Sequence, residues 1–256
     1  MTVADRRREI SDLLLLKGKV KVGELARRFQ VSTETIRKDL LELEAQGLIK
    51  KNKGSAEVLI ETSASAYAMK SEKFIQAKKR IGREAARLVS PNNVIFMDAG
   101  STSYQLARQL IMRKDIIVVT NFMPIAELMN ANEIKVILIG GEIRPMSGAA
   151  TGMLAASCIE RIQADIAFLG TSGFLDANGP CVENLPEAEV KRKMMQNVRA
   201  SYVLADSSKA NARAIVKYAE WREITGLITD DGMDPAVIAA LNKDVKVILA
   251  DTKAEE

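Results

Sequence analysis

Small and polar residues that could bind an anion follow five apolar runs in the second part of the chain. The segments are DAGST (98–102), TN (120–121), GGEIR (140–144), GTSG (170–173) and DSSK (206–209). Glycine allows a phosphate to approach the backbone closely, while Ser and Thr hydroxyls and backbone N–H groups can donate hydrogen bonds to it. The chemistry expected of these segments is therefore the binding of a polar, anionic ligand.

The same segments have an ordinary structural interpretation, because Gly, Ser and Asp are common in any turn. If the preceding runs are parallel strands, however, their carboxyl ends meet at one edge of a sheet, where open α/β folds bind ligands. Polar turns gathered at one edge favour a ligand over turn chemistry alone. Lys191, in NLPEAEVKRKM (184–194), could balance the charge of a bound phosphate there, or it could be part of a salt-bridged helix start.

The elements that would position these turns are apolar runs that alternate with amphipathic helical patterns. The runs predicted as strands are 94–97, 116–119, 135–139, 166–169, 201–205, 226–229 and 246–250. Helical patterns such as REAARLV, YQLARQL and EVKRKMMQNV lie between most of them. This alternation predicts an α/β fold with a mostly parallel sheet that is covered on both faces.

The N-terminal part of the chain follows a different pattern, with three helical patterns in a row. A tight turn between Phe29 and Thr33 separates the second from the third, which is typical of a helix-turn-helix motif. Ser32 is the expected N-cap of the third helix, and Gly47 marks its expected end. The segment LIKKNKGSAEVLI (48–60) then predicts a β-hairpin, which completes a winged helix-turn-helix.

The excess positive charge is concentrated in this N-terminal part. Residues 1–60 hold 13 Lys and Arg against 9 Asp and Glu, whereas the remaining residues hold 24 of each. This asymmetry indicates a polyanion-binding module joined to a neutral one. We expect a winged helix-turn-helix in residues 1–58, a linker without clear periodicity in residues 59–74, and the α/β domain in residues 75–256.

The third helical pattern carries an apolar stripe and a separate basic side. Ile36, Leu40 and Leu43 share one face, which alone is typical of any solvated surface helix. The preceding turn and the local charge excess favour DNA instead, because Lys and Arg neutralise phosphates while Thr and Arg can read base edges in the major groove. The residues expected to contact double-stranded DNA are Ser32, Thr33, Thr35, Arg37, Lys38, Lys50, Lys51 and Lys53.

The composition argues against several other classes of protein. The 256 residues include no His and only two Cys, Cys158 and Cys181, so neither a zinc site nor a disulfide framework is expected. The longest purely apolar run near the N-terminus, residues 13–16, is far too short for a membrane span. We therefore expect a cytoplasmic protein that needs no metal and no cofactor.

Several of these segments resemble the DeoR family of bacterial regulators of sugar metabolism. The resemblance rests on ELARRFQVSTETIRKDLLELEAQGLI near the N-terminus and on DAGST, VVTN, GGEIR, ADIAFLG, EAEVKRKM and LADSSK, in this order along nearly the whole chain. It implies that the N-terminal domain binds operator DNA. It also implies a C-terminal sensor domain that responds to a phosphorylated sugar, with a fold similar to ribose-5-phosphate isomerase, glucosamine-6-phosphate deaminase and the CoA transferases.

The resemblance further implies which residues surround the effector. Together with the turns described above, these are Asp98, Gly100, Ser101, Thr102, Thr120, Asn121, Gly140, Gly141, Arg144, Gly170, Ser172, Lys191, Asp206 and Lys209. One departure from the family pattern concerns local structure. Lys21 stands where a serine commonly caps the second helix, so this cap is expected to be missing.

The resemblance thus implies a transcriptional repressor of a carbohydrate-utilisation operon that is controlled by a phosphorylated sugar and is not an enzyme. We expect a homo-oligomer, a dimer or a tetramer, because helix-turn-helix proteins usually bind palindromic sites in pairs. The alternative is a sugar-phosphate isomerase or deaminase that carries a DNA-binding module, since carboxylates and lysines can transfer protons without histidine. A third interpretation is that the basic module docks an acidic protein instead of DNA.

Overall fold

The computed structural model describes residues 2–17, 19–45, 49–52, 54–58, 73–145, 147–176 and 178–251. The chain divides into two units, Met1–Ala66 and Tyr67–Glu256. Most of the predicted linker, residues 59–72, lies outside the described part of the chain, as do Gly47 and Lys53. The domain bounds at residues 58 and 74 therefore stay a prediction.

In its described residues, the first unit is built from helices and an antiparallel sheet in the order β1-β3-β2. Its elements are α1 (Val3–Lys17), β1 (Lys19–Lys21), α2 (Val22–Phe29), α3 (Thr33–Ala45), β2 (Ile49–Asn52) and β3 (Ser55–Val58). Strands β2 and β3 form the predicted hairpin, so the winged helix-turn-helix is confirmed. Strand β1 was not predicted, because three residues of which only Val20 is buried are too few to show a period.

The turn between α2 and α3 is fixed by local hydrogen bonds. Gln30 adopts a left-handed conformation with φ of 53° and ends α2. The backbone N–H of Thr35 donates to Ser32 Oγ at 3.1 Å, which confirms Ser32 as the cap of α3. Lys21 precedes α2 and makes no side-chain capping bond, as expected.

Helix α3 packs its apolar stripe inward and also buries one charge. Ile36, Leu40 and Leu43 are buried, as predicted. Asp39 is buried as well, and its two oxygens accept hydrogen bonds from Arg6 Nε at 2.6 Å and from Arg7 Nε at 3.0 Å. The hydrogen bond to Asp39 raises the pKa of Arg6, so this contact between α1 and α3 is a charged one.

The second unit contains the predicted parallel sheet, with the strand order β14-β13-β11-β9-β4-β5-β6 in the described residues. Its elements are α4 (Ile75–Ala86), β4 (Val94–Met97), α5 (Ser101–Gln109), β5 (Ile117–Thr120), α6 (Met123–Ala131), β6 (Lys135–Leu138), β7 (Glu142–Ile143), β8 (Ala150–Thr151), α7 (Met153–Ile159), β9 (Ile166–Gly170), β10 (Cys181–Val182), α8 (Leu185–Gln196), β11 (Ala200–Leu204), β12 (Val216–Lys217), β13 (Gly226–Thr229), α9 (Pro235–Leu241) and β14 (Lys246–Leu249). The predicted strands are confirmed to within one residue at each end.

Both faces of this sheet are covered, which confirms the α/β fold class. Along β4, Phe96 joins one hydrophobic core, while its neighbours Ile95 and Met97 join the other. Successive side chains of a strand point to opposite faces, so the two cores lie on opposite sides of the sheet. Among the described residues, no helix is long and apolar enough to cross a membrane.

Five short elements outside the seven-stranded sheet were not predicted. The strands β7 and β8 pair with each other, as do β10 and β12, and α7 follows β8. The strands are only two residues long, so they carry no readable periodicity.

A close approach of two helices fixes the position of α5. Gly82 of α4 lies so near to α5 that an added Cβ would be 2.7 Å from the carbonyl carbon of Gln105 and 2.7 Å from the backbone nitrogen of Leu106. A side chain at residue 82 would therefore push the two helices apart.

We predict that Gly82→Ala lowers the free energy of unfolding of the second unit by roughly 1–3 kcal/mol, the usual cost of overpacking. Urea unfolding followed by the fluorescence of Trp221, the one tryptophan of the chain, reports on this unit. Gly140→Ala is the control, because an added Cβ there meets nothing within 4 Å. Equal stability of the two variants would contradict the close contact.

Candidate functional site

A cavity lies at the carboxyl ends of the central strands in the second unit, where the polar turns were predicted to meet. Its volume is about 260 Å³. This is slightly below the range of roughly 300–1,000 Å³ that is usual for drug-sized ligands, and it suits a small metabolite. The predicted residues that line it are Gly100, Ser101, Thr102, Gly170, Ser172, Lys191, Asp206 and Lys209.

A buried ion pair lies beneath this cavity. Asp98 and Lys191 are both 1% exposed, and the Lys191 ammonium donates a hydrogen bond to Asp98 Oδ2. The same oxygen accepts a hydrogen bond from the backbone N–H of Gly170 at 3.0 Å. The pair therefore connects the end of β4, the end of β9 and the middle of α8.

Tyr218 completes this buried cluster. Its hydroxyl donates to the carbonyl oxygen of Gly170 at 3.0 Å, and Lys191 Nζ lies 5.6 Å from the centre of its ring. Burial, together with the charge of Asp98, raises the pKa of Tyr218 well above its ordinary value, so the phenol stays a hydrogen-bond donor. Burial also raises the pKa of Asp98, whereas the Lys191 ammonium favours its charged form.

The first turn of α5 forms another wall of the cavity. Ser101, Thr102 and Ser103 all line it, and Gly100 provides no side-chain cap for the helix. The first backbone N–H groups of a helix lack partners within the helix and carry partial positive charge, so an anion is stabilised there. The Oγ atom of Ser103 is buried and has no hydrogen-bond partner among the described residues. This hydroxyl is available to a ligand.

Besides Lys191, three lysines line the same cavity: Lys73, Lys78 and Lys209. Lys78 of α4 is 5% exposed, and its ammonium donates to the carbonyl oxygen of Lys73 at 2.6 Å. Lys209 lies in the 3-10 turn Ser207–Asn211, which Asp206 caps by accepting a hydrogen bond from the backbone N–H of Ser208 at 3.2 Å. Asp206 therefore holds the turn that carries Lys209.

Six predicted residues are not among those that line the cavity: Asp98, which lies beneath it, and Thr120, Asn121, Gly140, Gly141 and Arg144. Two of them form hydrogen bonds with the end of β4 and with the turn that follows it. Thr120 Oγ1 donates to the carbonyl oxygen of Met97 at 2.7 Å. Asn121 accepts from the N–H of Ala99 at 3.1 Å and donates to the carbonyl oxygen of Ala150 at 2.9 Å.

Some lining residues were missed by the sequence analysis, chiefly Lys78, Ser103, Thr171, Glu183, Glu187 and Ser208. Ser103 directly follows the segment DAGST, and Ser208 lies within DSSK. Both could have been predicted from these segments. Glu183 follows β10, a two-residue strand without a sequence signal. Lys78 lies on α4, which comes before β4 in the chain and follows no described strand of the sheet. Its place beside the cavity depends on the packing of α4, which the sequence does not show.

The first unit presents a basic surface on α3. Thr33 and Lys38 are exposed, and the side chain of Arg37 is 53% exposed, with its Nη1 3.1 Å from Glu34 Oε2. The hydroxyls of Ser32 and Thr35 are bonded to each other at 2.9 Å at the start of the helix. Lys50 and Lys51 lie on β2, but their side chains, like the whole of Lys53, are outside the described part of the structure.

We predict that the ion pair beneath the cavity is energetically coupled. Lys191→Met alone would leave a buried carboxylate without its counter-charge and should lower the free energy of unfolding by roughly 3–5 kcal/mol. Asp98→Asn alone leaves the ammonium unbalanced. The double variant should be destabilised by at least about 1 kcal/mol less than the sum of the two single variants.

Urea unfolding followed by Trp221 fluorescence measures this coupling. Arg213→Ala is the control, because Arg213 and Asp176 form an ion pair whose side chains are 77% and 68% exposed. Removing that arginine should change the stability by no more than about 0.5 kcal/mol. Additive effects of Asp98→Asn and Lys191→Met would show that the two charges do not depend on each other.

Comparisons with known proteins agree with this two-part architecture. Residues 6–62 match the family described as "DeoR-like helix-turn-helix domain", and residues 73–231 match "DeoR C terminal sensor domain". A solved structure of ribose 5-phosphate isomerase A from Methanocaldococcus jannaschii is 19% identical over a match that covers 52% of each chain, with a TM-score of 0.38.

Full-length relatives are transcriptional regulators by name. The "Uncharacterized HTH-type transcriptional regulator YulB" of Bacillus subtilis is 33% identical over 250 residues, which cover 96% of each chain. The "Glycerol-3-phosphate regulon repressor" of Escherichia coli K12 is 30% identical over 232 residues, which cover 90% of this chain and 92% of the relative. The chain therefore belongs to the DeoR family of DNA-binding transcriptional regulators.

Proposed function

We propose that this regulator represses a carbohydrate-utilisation operon and that a phosphorylated sugar, bound in the cavity of the second unit, releases it from operator DNA. The observation that carries the proposal is the cavity wall formed by the first turn of α5, with the unpartnered hydroxyl of Ser103 and the lysines Lys78 and Lys209 beside it. A helix N-terminus combined with hydroxyls and cations is a common way of binding a phosphate group. The name of the glycerol-3-phosphate regulon repressor agrees with a phosphorylated effector.

The phosphate is assigned to this wall and not to Lys191. The charge of Lys191 is balanced by Asp98, so the pair contributes little net charge to the cavity. Lys209 is half-buried and belongs to a turn whose backbone is fixed by Asp206, which makes it the better counter-charge for the ligand. We propose that Ser101 and Thr102 add hydrogen bonds from the same helix turn.

Double-stranded operator DNA is the proposed partner of the first unit. Helix α3 is the second helix of a helix-turn-helix, which enters the major groove by its N-terminal half. The exposed Thr33, Arg37 and Lys38 lie in that half. The lysines of the β2–β3 hairpin would contact phosphates beside the groove, as positive charge on a wing commonly does.

The remaining parts of the proposal follow from this role. A symmetric operator is read by two copies of a helix-turn-helix, so we propose a homo-oligomer, a dimer or a tetramer. It would act in the cytoplasm, where operator DNA is found in bacteria. We propose that it is not an enzyme, because its named relatives are regulators. Turnover of a sugar phosphate at rates typical of enzymes would contradict this.

We predict that Arg37→Ala weakens operator binding by about 1–3 kcal/mol and relaxes the preference for one base pair, if Arg37 reads a base edge. Fluorescence anisotropy with an operator duplex and with point-substituted duplexes measures both effects. Arg87→Ala is the matched control, since Arg87 forms a similar contact with Glu84 three residues earlier and is 54% exposed, but lies in the second unit. Unchanged operator affinity in a folded Arg37→Ala variant would refute the assignment of α3.

We predict that Lys209→Ala binds the operator like the parent protein but needs at least tenfold more sugar phosphate for release. Removing one partner of a charge-assisted hydrogen bond costs roughly 1.5–3 kcal/mol, which corresponds to this factor. The measurement is operator anisotropy across a titration with a sugar phosphate identified by thermal shift. Lys243→Ala, an exposed lysine outside the cavity, should release like the parent. Identical release by both variants would place the phosphate elsewhere.

A further inference from the structure

Besides Asp206, which caps the turn of Lys209, two carboxylates line the cavity and are not needed for binding a phosphate. Glu183 is exposed and follows β10, while Glu187 is half-buried in the first turn of α8. Neither contributes to the phosphate-binding wall described above. A negative charge beside a proposed anion site is unfavourable unless it serves another part of the ligand, so these side chains call for an explanation.

Glu187 is held in a defined orientation. Asn184 caps α8 by accepting a hydrogen bond from the backbone N–H of Glu187 at 3.0 Å, and its Nδ2 donates to Glu187 Oε2 at 3.1 Å. Burial raises the pKa of both Asp98 and Tyr218, and the negative charge of Glu187 adds to the shift in each case. Glu187 lines the cavity on the same helix as Lys191, one turn before it, and its charge acts on the buried cluster.

The cations assigned to the phosphate, Lys78 and Lys209, and these carboxylates occupy different elements around the cavity. Gly82 of α4 touches Gln105 of α5, and about one turn earlier on each helix Lys78 and Ser101 line the cavity. Glu187 instead lies on α8, one turn before Lys191. A ligand whose phosphate meets α4 and α5 would therefore direct its remaining groups towards the carboxylates.

We infer that Glu183 and Glu187 make the cavity selective for sugar or polyol monophosphates whose remaining groups are uncharged hydroxyls, and that they reject ligands with a carboxylate or a second phosphate. Hydroxyls donate hydrogen bonds to carboxylate oxygens, whereas a second anion cannot donate and is repelled at short range in a partly desolvated site. This inference rests on the proposed function, because it assumes that a phosphorylated sugar binds in this cavity. It adds the chemical class of that ligand.

The test compares related ligands with and without a second anionic group. The pairs are glycerol 3-phosphate with 3-phosphoglycerate, glucose 6-phosphate with 6-phosphogluconate, and fructose 6-phosphate with fructose 1,6-bisphosphate. Binding to the full-length protein is measured by titration calorimetry. In each pair that binds, the ligand with a single phosphate and no other charge should bind at least tenfold more tightly than the ligand with two anionic groups.

Substitution of the carboxylates then tests the cause. Glu187→Gln keeps the size of the side chain and its bond to Asn184, and it should reduce the preference within a pair at least threefold by improving the binding of the doubly anionic member. Glu183→Gln provides a second, independent variant on a loop. Glu189→Gln is the control, because Glu189 is an exposed residue of the same helix that does not line this cavity.

The outcomes separate this inference from the proposed function. Equal affinities within the pairs, or a preference that neither Glu187→Gln nor Glu183→Gln reduces, would overturn the selectivity while leaving sugar-phosphate sensing intact. Failure of every sugar monophosphate to bind, both in these pairs and in the thermal-shift screen, would overturn both. A preference that is reduced by these two variants and kept by Glu189→Gln supports the inference.

Discussion

The buried ion pair of Asp98 and Lys191 is the constraint on which the sensor cavity depends. Charges that are removed from water are tolerated only when they are paired and hydrogen-bonded, so this pair can exist only while the end of β4, the end of β9 and the middle of α8 keep their positions. Tyr218 closes the cluster through Gly170. Because the two charges offset each other, we propose that other residues recognise the charge of a ligand, namely the first turn of α5, Lys78 and Lys209.

A buried carboxylate has a related effect in the first unit. Asp39 accepts hydrogen bonds from Arg6 and Arg7. Two cations of the basic N-terminal part therefore link α1 to α3. The net charge of this part therefore overstates what is presented to a partner. The cations that remain exposed in the described residues include Arg37 and Lys38, on the half of α3 that a helix-turn-helix directs at DNA.

The sequence predicted those features that depend on local patterns. The buried parallel strands are continuous apolar runs, and Ser32 lies in a recognisable capping position, so both were predictable. Contacts between distant residues were not. No local sequence pattern shows that Lys191 would pair with Asp98, 93 residues earlier. The same is true of the hydrogen bonds from Thr120 and Asn121 to the end of β4 and the turn after it. Glu183 was missed because the two-residue strand before it has no periodic signal.

We propose that one chain couples a sugar-phosphate site to an operator site. Such coupling is reciprocal: if the effector weakens operator binding by a given factor, operator DNA must weaken effector binding by the same factor. The most direct measurement is the affinity of the full-length protein for an identified sugar phosphate, by calorimetry, with and without saturating operator duplex. Our account predicts that the effector affinity falls by the factor found for operator release. Effector affinity that is unchanged by operator DNA would contradict it.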